Sequence, residues 1–127
     1  MKTLLCLLAA PLVLCAADPQ HTKDSLDTVK KRLKEKKAVL VDVRERSEWD
    51  AGHVKGAVLV PLSKLRSGDA RELLRSLPKD RIVYTHCRSG GRALRAAELL
   101  KKLGYDVRPL EPGYKALIEA GFPRGEK

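Results

Sequence analysis

Arg81-Ile82-Val83-Tyr84-Thr85-His86 runs without a break into Cys87-Arg88-Ser89-Gly90-Gly91-Arg92, and this junction decides the fold. Its first half carries the β-branched and aromatic residues of a strand. Past the glycine pair, Leu94, Ala97, Leu100 and Leu103 recur at three-residue steps, within the width of a helical stripe, until Gly104 ends it. A strand passed to a helix through a short glycine-rich turn is a unit of α/β architecture.

The flanking sequence repeats that unit. Ser25 is placed to cap a helix with apolar positions Leu26, Val29 and Leu33, ended by Lys36-Lys37. Ala38-Val39-Leu40-Val41 is a continuous apolar run leading to Asp42-Val43-Arg44, as expected of a strand buried on both faces of a parallel sheet. A short helix over Ser47 to Ala51 stops at Gly52, and Ala57-Val58-Leu59-Val60 is a second strand closed by Pro61. Asp69 is placed as the cap of a helix from Ala70 to about Leu77, with Pro78 at its end. Val107 to Leu110 is a fourth strand, and Pro112-Gly113 opens a last helical segment containing Leu117 and Ile118. The alternation predicts an open, mostly parallel sheet of four to five strands with helices on both faces. Sites in such folds lie at the carboxyl ends of strands, where Cys87 stands.

A length of 127 residues provides for one domain, and no repeat or glycine-serine linker divides it. Aromatics are scarce (Trp49, Phe122, Tyr84, Tyr105, Tyr114), so the core must be aliphatic. The amino-terminal residues do not belong to that core. Lys2, the apolar run Leu4 to Leu14 broken only by Pro11, and the small Ala16 and Ala17 before Asp18-Pro19-Gln20 have the order of a secretory signal peptide. We therefore expect a leader over 1–17, cleaved after Ala16 or Ala17, a polar lead-in over 18–24, and the functional domain over 25–127. The apolar run falls short of the roughly 20 residues of a membrane-spanning helix, so no stable insertion is expected after cleavage. Leu14 before Cys15 departs from the small residue a lipoprotein site requires. Export, with the bacterial periplasm the expected location, would remove Cys6 and Cys15 and leave Cys87 as the single cysteine. A lone cysteine makes no intramolecular disulfide, and an exported chain does not keep a free thiol for stability.

The formal charge of +10 falls to +9 without Lys2. Its densest run, Lys30 to Lys37, is interleaved with Leu33 and Glu35 and reads as a solvated helix face. No nucleic-acid partner is expected from it; a field that attracts small anions is.

The loop from Cys87 to Arg92 carries the chemistry. The thiolate is the reactive form of cysteine, and a helix N-terminus stabilises negative charge. Gly90 and Gly91 let successive backbone N–H groups turn inward as an anion nest. Arg88 and Arg92 bracket the loop with permanent charge and planar donors suited to an oxyanion. The whole reads as a cradle for a sulfur nucleophile attacking a dianion.

With these residues the chain resembles the rhodanese family. The loop matches that family's active-site pattern. Asp42-Val43-Arg44-Glu45, Glu48-Trp49, Gly52-His53-Val54, Gly56-Ala57 and Pro61 resemble a second signature, and Gly104-Tyr105-Asp106-Val107, Leu110 and Gly121-Phe122-Pro123 a third. The resemblance spans Ser25 to Pro123. Two local departures are Pro112-Gly113 for a glycine pair, and Leu117 or Ile118 where the family often has tryptophan. The resemblance implies that Cys87 takes the sulfane sulfur of thiosulfate or a similar anion as a persulfide. Backbone N–H groups from Arg88 through Ser89, Gly90 and Gly91 to Arg92 would surround the outer sulfur. The Arg88 and Arg92 side chains would hold the donor, and cyanide or a thiol would take the sulfur away. It implies ping-pong kinetics and no metal or organic cofactor.

Other residues carry a quieter expectation. Asp42 and Arg44 could tune the site but read first as a structural pair. His53 reads as a satisfied turn residue and Trp49 as a core anchor. Strand alternation turns His86 away from Cys87, against a Cys–His dyad. His21, in the lead-in, carries no signal. The competing functions are a non-enzymatic persulfide carrier or binding module, a phosphatase or arsenate reductase, and a redox protein. Phosphatase-type loops have one more residue between Cys and Arg than the four, Arg88 to Gly91, found here, and a redox role lacks a resolving cysteine in the expected mature chain. A monomer or weak dimer is expected.

Overall fold

The computed structural model describes residues 20–126. Four strands, β1 (Ala38–Asp42), β2 (Val58–Leu59), β3 (Ile82–His86) and β4 (Asp106–Pro109), form one sheet in the order β2-β1-β3-β4, and every neighbouring pair is parallel. Six helices join them: α1 (Leu26–Lys34), α2 (Arg46–Ala51), α3 (Leu62–Ser67), α4 (Arg71–Leu74), α5 (Gly91–Lys102) and α6 (Tyr114–Glu119). This is the expected α/β architecture, with four strands.

Alternation along the two central strands builds a core layer on each face of the sheet. Val39, Val41, Val83 and Val107 pack with Val60, Leu62, Leu77, Ala97 and Leu100 on the side of α3, α4 and α5. Ala38, Leu40, Ile82 and Tyr84 pack with Val29, Leu110, Leu117 and Phe122 on the side of α1 and α6. Each large aliphatic side chain in these layers contributes about 1.5–3 kcal/mol of burial. α5 lies against β3 and β4. It buries Ala93, Ala96 and Ala97 with Leu100, small residues that admit a close helix–sheet approach.

Ser25 caps α1 as expected, accepting the Thr28 N–H at 3.1 Å. Elsewhere the structure corrects the expectation. Pro61 does not merely close β2; it is the N-cap residue of α3, a helix the sequence did not suggest. Asp69 does not cap a helix. Its backbone N–H bonds back to Lys64 O, and its carboxylate accepts the Ser67 hydroxyl at 3.0 Å, so it belongs to the end of α3. Ala70 holds the cap position of α4, a single turn where two had been expected. The three-step stripe on α5 drifts, because three residues fall short of a full turn by about 60°. Leu94 is thus half-buried and Leu103 is 48% exposed.

The expected leader, 1–17, lies outside the described residues. The last part of the lead-in is packed. Thr22 N–H bonds Pro109 O at 2.7 Å. The Asp24 carboxylate receives Arg32 at 2.7 Å, Tyr84 at 2.8 Å and Arg108 at 2.9 Å.

Candidate active site

β3 delivers Cys87 to the carboxyl end of the sheet, on the α5 side of the core. The chain turns over it through Arg88, Ser89 and Gly90, and Gly90 adopts φ 94, ψ −19, a left-handed conformation that favours glycine. In that conformation the Gly90 N–H donates to the Cys87 sulfur at 3.0 Å. Cys87 is fully buried and is the only cysteine among the described residues. Arg88 and Ser89 are exposed above it. Gly91 shows no left-handed φ, and the space where a side chain would stand is open. Only one of the two glycines is therefore demanded by backbone geometry.

The floor under the loop is Gly113. A Cβ there would stand 1.8 Å from Arg88 O and 3.0 Å from Cys87 O, so the loop rests on bare backbone. Tyr114 N–H donates to Cys87 O at 2.9 Å. α6 thus braces the loop from beneath, with Leu117 fully buried behind it.

The two bracketing arginines differ. Arg88 is exposed and lines an open cleft of about 370 Å³ together with Arg44, Glu48, Gly52, Tyr114 and Lys115. Arg92, expected to face the donor as well, is engaged with Glu48 by two hydrogen bonds of 2.5 and 2.9 Å. The Arg92 hydrogen bonds hold the Glu48 carboxyl down to about 2, and Arg92 is raised in turn. Sequence reasoning passed over Glu48 as a site residue, because only the fold brings α2 to the start of α5. Three cations against one carboxylate leave the cleft positive.

Asp42 and Arg44 form a buried pair. Arg44 Nη2 and Nε meet the carboxylate at 2.8 to 3.1 Å, and Nη2 also donates to Gly52 O at 2.7 Å. The guanidinium lies 4.4 Å from the centre of the Tyr114 ring. His86 is fully buried on the opposite face from Cys87, its Nε2 3.7 Å from Asp42 Oδ2. Neither ring nitrogen has a hydrogen-bond partner, so there is no Cys–His dyad. Burial pushes its pKa down and keeps the ring neutral. Trp49 is half-buried and not a core anchor; it stacks on His53 at 3.8 Å. α2 buries no residue, which leaves its tryptophan at the surface of the helix.

One residue had no signal at all. His21 Nε2 lies 2.9 Å from Gly90 O, against the loop itself, although 69 positions separate the two.

A model of the rhodanese-like domain matches residues 25–120. The chain belongs to the rhodanese-like family. Among sequence relatives, human thiosulfate:glutathione sulfurtransferase is 36% identical over 105 residues, covering 75% of this chain and 91% of that protein. The probable adenylyltransferase/sulfurtransferase MoeZ of Mycobacterium tuberculosis is 37% identical over 99 residues, covering 77% of this chain. The rhodanese-like chain spans only 23% of MoeZ, and its match to YqhL of Bacillus subtilis spans 60% of that protein. Among solved structures, the human single-domain sulfurtransferase TSTD1 superimposes with a TM-score of 0.66 at 30% identity, covering 76% of this chain and 94% of the other.

Proposed function

We propose that this rhodanese-like chain is a sulfurtransferase that carries sulfane sulfur on Cys87. The observation that carries the reading is the 3.0 Å contact from Gly90 N–H to the buried Cys87 sulfur, at a strand end beside a positive cleft. A backbone donor at a helix start is placed to meet the negative charge that a sulfur carrier holds during transfer. The single-domain sulfurtransferases this chain is similar to support the same reading.

Thiosulfate is the donor of choice. The Cys87 thiolate attacks its sulfane sulfur, the new Sγ–S bond forms, the sulfur–sulfur bond of thiosulfate breaks, and sulfite leaves with the electron pair. The negative charge then rests on the outer sulfur of the persulfide, within reach of the loop N–H groups from Arg88 to Arg92. Arg88, exposed at the cleft, meets the dianion directly. Arg92, paired with Glu48, acts through its position at the start of α5. Cyanide or a thiolate then attacks the outer sulfur, returning the Cys87 thiolate and leaving as thiocyanate or a persulfide. No proton moves in either half-reaction. Because Cys87 is fully covered, the exposed part of the loop must shift to admit the donor. We further propose that the leader over 1–17 exports the protein, the periplasm being its place of action, as a monomer or weak dimer.

The test is the intact mass of the purified protein before and after thiosulfate, repeated with Cys87→Ala. A gain of one sulfur atom, reversed by cyanide and absent in the variant, is expected. A folded wild-type protein that gains nothing would sink the proposal.

A further inference from the structure

We propose that His21 is a positioning residue for the sulfur-carrying loop: it holds the Gly90 carbonyl so that the Gly90 N–H stays on the Cys87 sulfur. The role in turnover rests on the sulfurtransferase reading; the geometry does not. His21 Nε2 and Gly90 O are 2.9 Å apart, and a carbonyl only accepts, so Nε2 carries the proton. Gly90 is thus gripped at both of its peptide groups. Its N–H points at sulfur, and its C=O accepts from His21 and, at 3.2 Å, from Leu94 N–H. A glycine at φ 94 has wide rotational freedom, so its orientation depends on such anchors. The two residues are also in packing contact: a Cβ on Gly90 would stand 2.8 Å from His21 Nε2.

His21 is itself anchored, by the Thr22 bond to Pro109 and by the three partners of Asp24. These partners come from α1, β3 and β4, so the segment is built into the domain. It also precedes residues 25–120, the part that matches the rhodanese-like family. A persulfide moves the negative charge outward by one S–S bond, about 2 Å. A loop whose central glycine is pinned keeps its donors aimed through that change.

The experiment compares full-length wild type with His21→Ala, His21→Leu and His21→Gln. Gln places an amide N–H at a reach similar to Nε2. Two quantities are read: hydrogen exchange at the Gly90 amide by NMR, and kcat and KM with thiosulfate and cyanide. In the Ala and Leu variants exchange at Gly90 should rise about fivefold, the equivalent of one hydrogen bond. Their kcat should fall by a similar factor with KM little changed, and Gln should restore both. Unchanged Gly90 exchange in the Ala and Leu variants would overturn the proposal. So would protection lost evenly along α5 with no recovery in Gln, the pattern of a merely structural contact. A wild type that takes no sulfur while Gly90 exchange behaves as expected supports the pin and rejects the sulfurtransferase reading, which separates the two failures.

Discussion

Replacing Arg44 by Met tests how the floor of the cleft is held. The Arg44 and Asp42 side chains are 6% and 0% exposed, so solvent does little to screen the pair. The substitution keeps the apolar stem and removes every charged contact to the carboxylate. Asp42 would retain only the Arg44 backbone N–H at 3.0 Å, and Gly52 O would lose its partner. Stranding one charge of a buried pair costs about 3–5 kcal/mol. For a domain of roughly 100 residues, about 4 kcal/mol lowers Tm by about 15–20 °C. Total stabilities of about 5–15 kcal/mol leave the variant folded at low temperature. The assay is urea unfolding of Arg44→Met, Asp42→Asn and the double variant. Removing both charges together removes the stranding, so the double variant should be more stable than the sum of the single costs predicts, by about 2 kcal/mol. Additivity within about 0.5 kcal/mol would refute the reasoning.

Two further outcomes follow from the same geometry. Glu48 has its carboxyl depressed to about 2 by the Arg92 hydrogen bonds, against an ordinary 4.5, so its stabilisation is complete above 4.5 and is lost as pH falls through about 2. The Tm advantage of wild type over Glu48→Gln should therefore be constant at neutral pH and shrink across that window. Partial exposure holds it to about 1 kcal/mol or less, and an advantage that persists to pH 2 would contradict the assignment. Gly113→Ala would drive a Cβ into Arg88 O and Cys87 O, both backbone atoms that cannot swing aside. It should cost about 2–4 kcal/mol and displace the loop; wild-type unfolding and wild-type sulfur uptake together would show that the floor is not tight.

Most of the fold was legible because its signals are local. Apolar runs at Ala38–Val41 and Arg81–His86, with glycine stops between helical stripes, specify strand and helix type residue by residue. α3 was hidden because Pro61 serves equally as a strand terminator and as a residue preceding a helix, and only the path of the chain decides between them. Asp69 was misplaced for a similar reason: a carboxylate beside a helix start is a cap only if the preceding helix has not already claimed it. In the site, the loop was readable because its chemistry lies within six consecutive residues. Glu48 and His21 were not, since each reaches the loop from a distant element, and Gly113 was legible only through the resemblance, as half of the Pro112-Gly113 departure under the loop. A glycine at 113 could be read as a helix breaker, but its approach to Arg88 O is a property of the folded chain.

The arrangement of charged groups also bears on which chemistry the loop serves. Breaking a phosphate ester calls for an acid that protonates the leaving oxygen. The carboxyls near Cys87 are poorly placed for that: Asp42 is locked to Arg44 on the other face of the sheet, and Glu48, with a pKa of about 2, is ionised at neutral pH. His86 is neutral, buried and turned away. What does reach the sulfur is a backbone N–H, a donor that does not titrate. Moving a sulfane sulfur between thiolate, sulfite and cyanide breaks and makes only S–S and S–C bonds, and needs no acid. A nucleophile held by a fixed backbone dipole, with neither Asp42 nor Glu48 placed as a protonated acid, suits sulfur transfer better than cleavage of a phosphate ester.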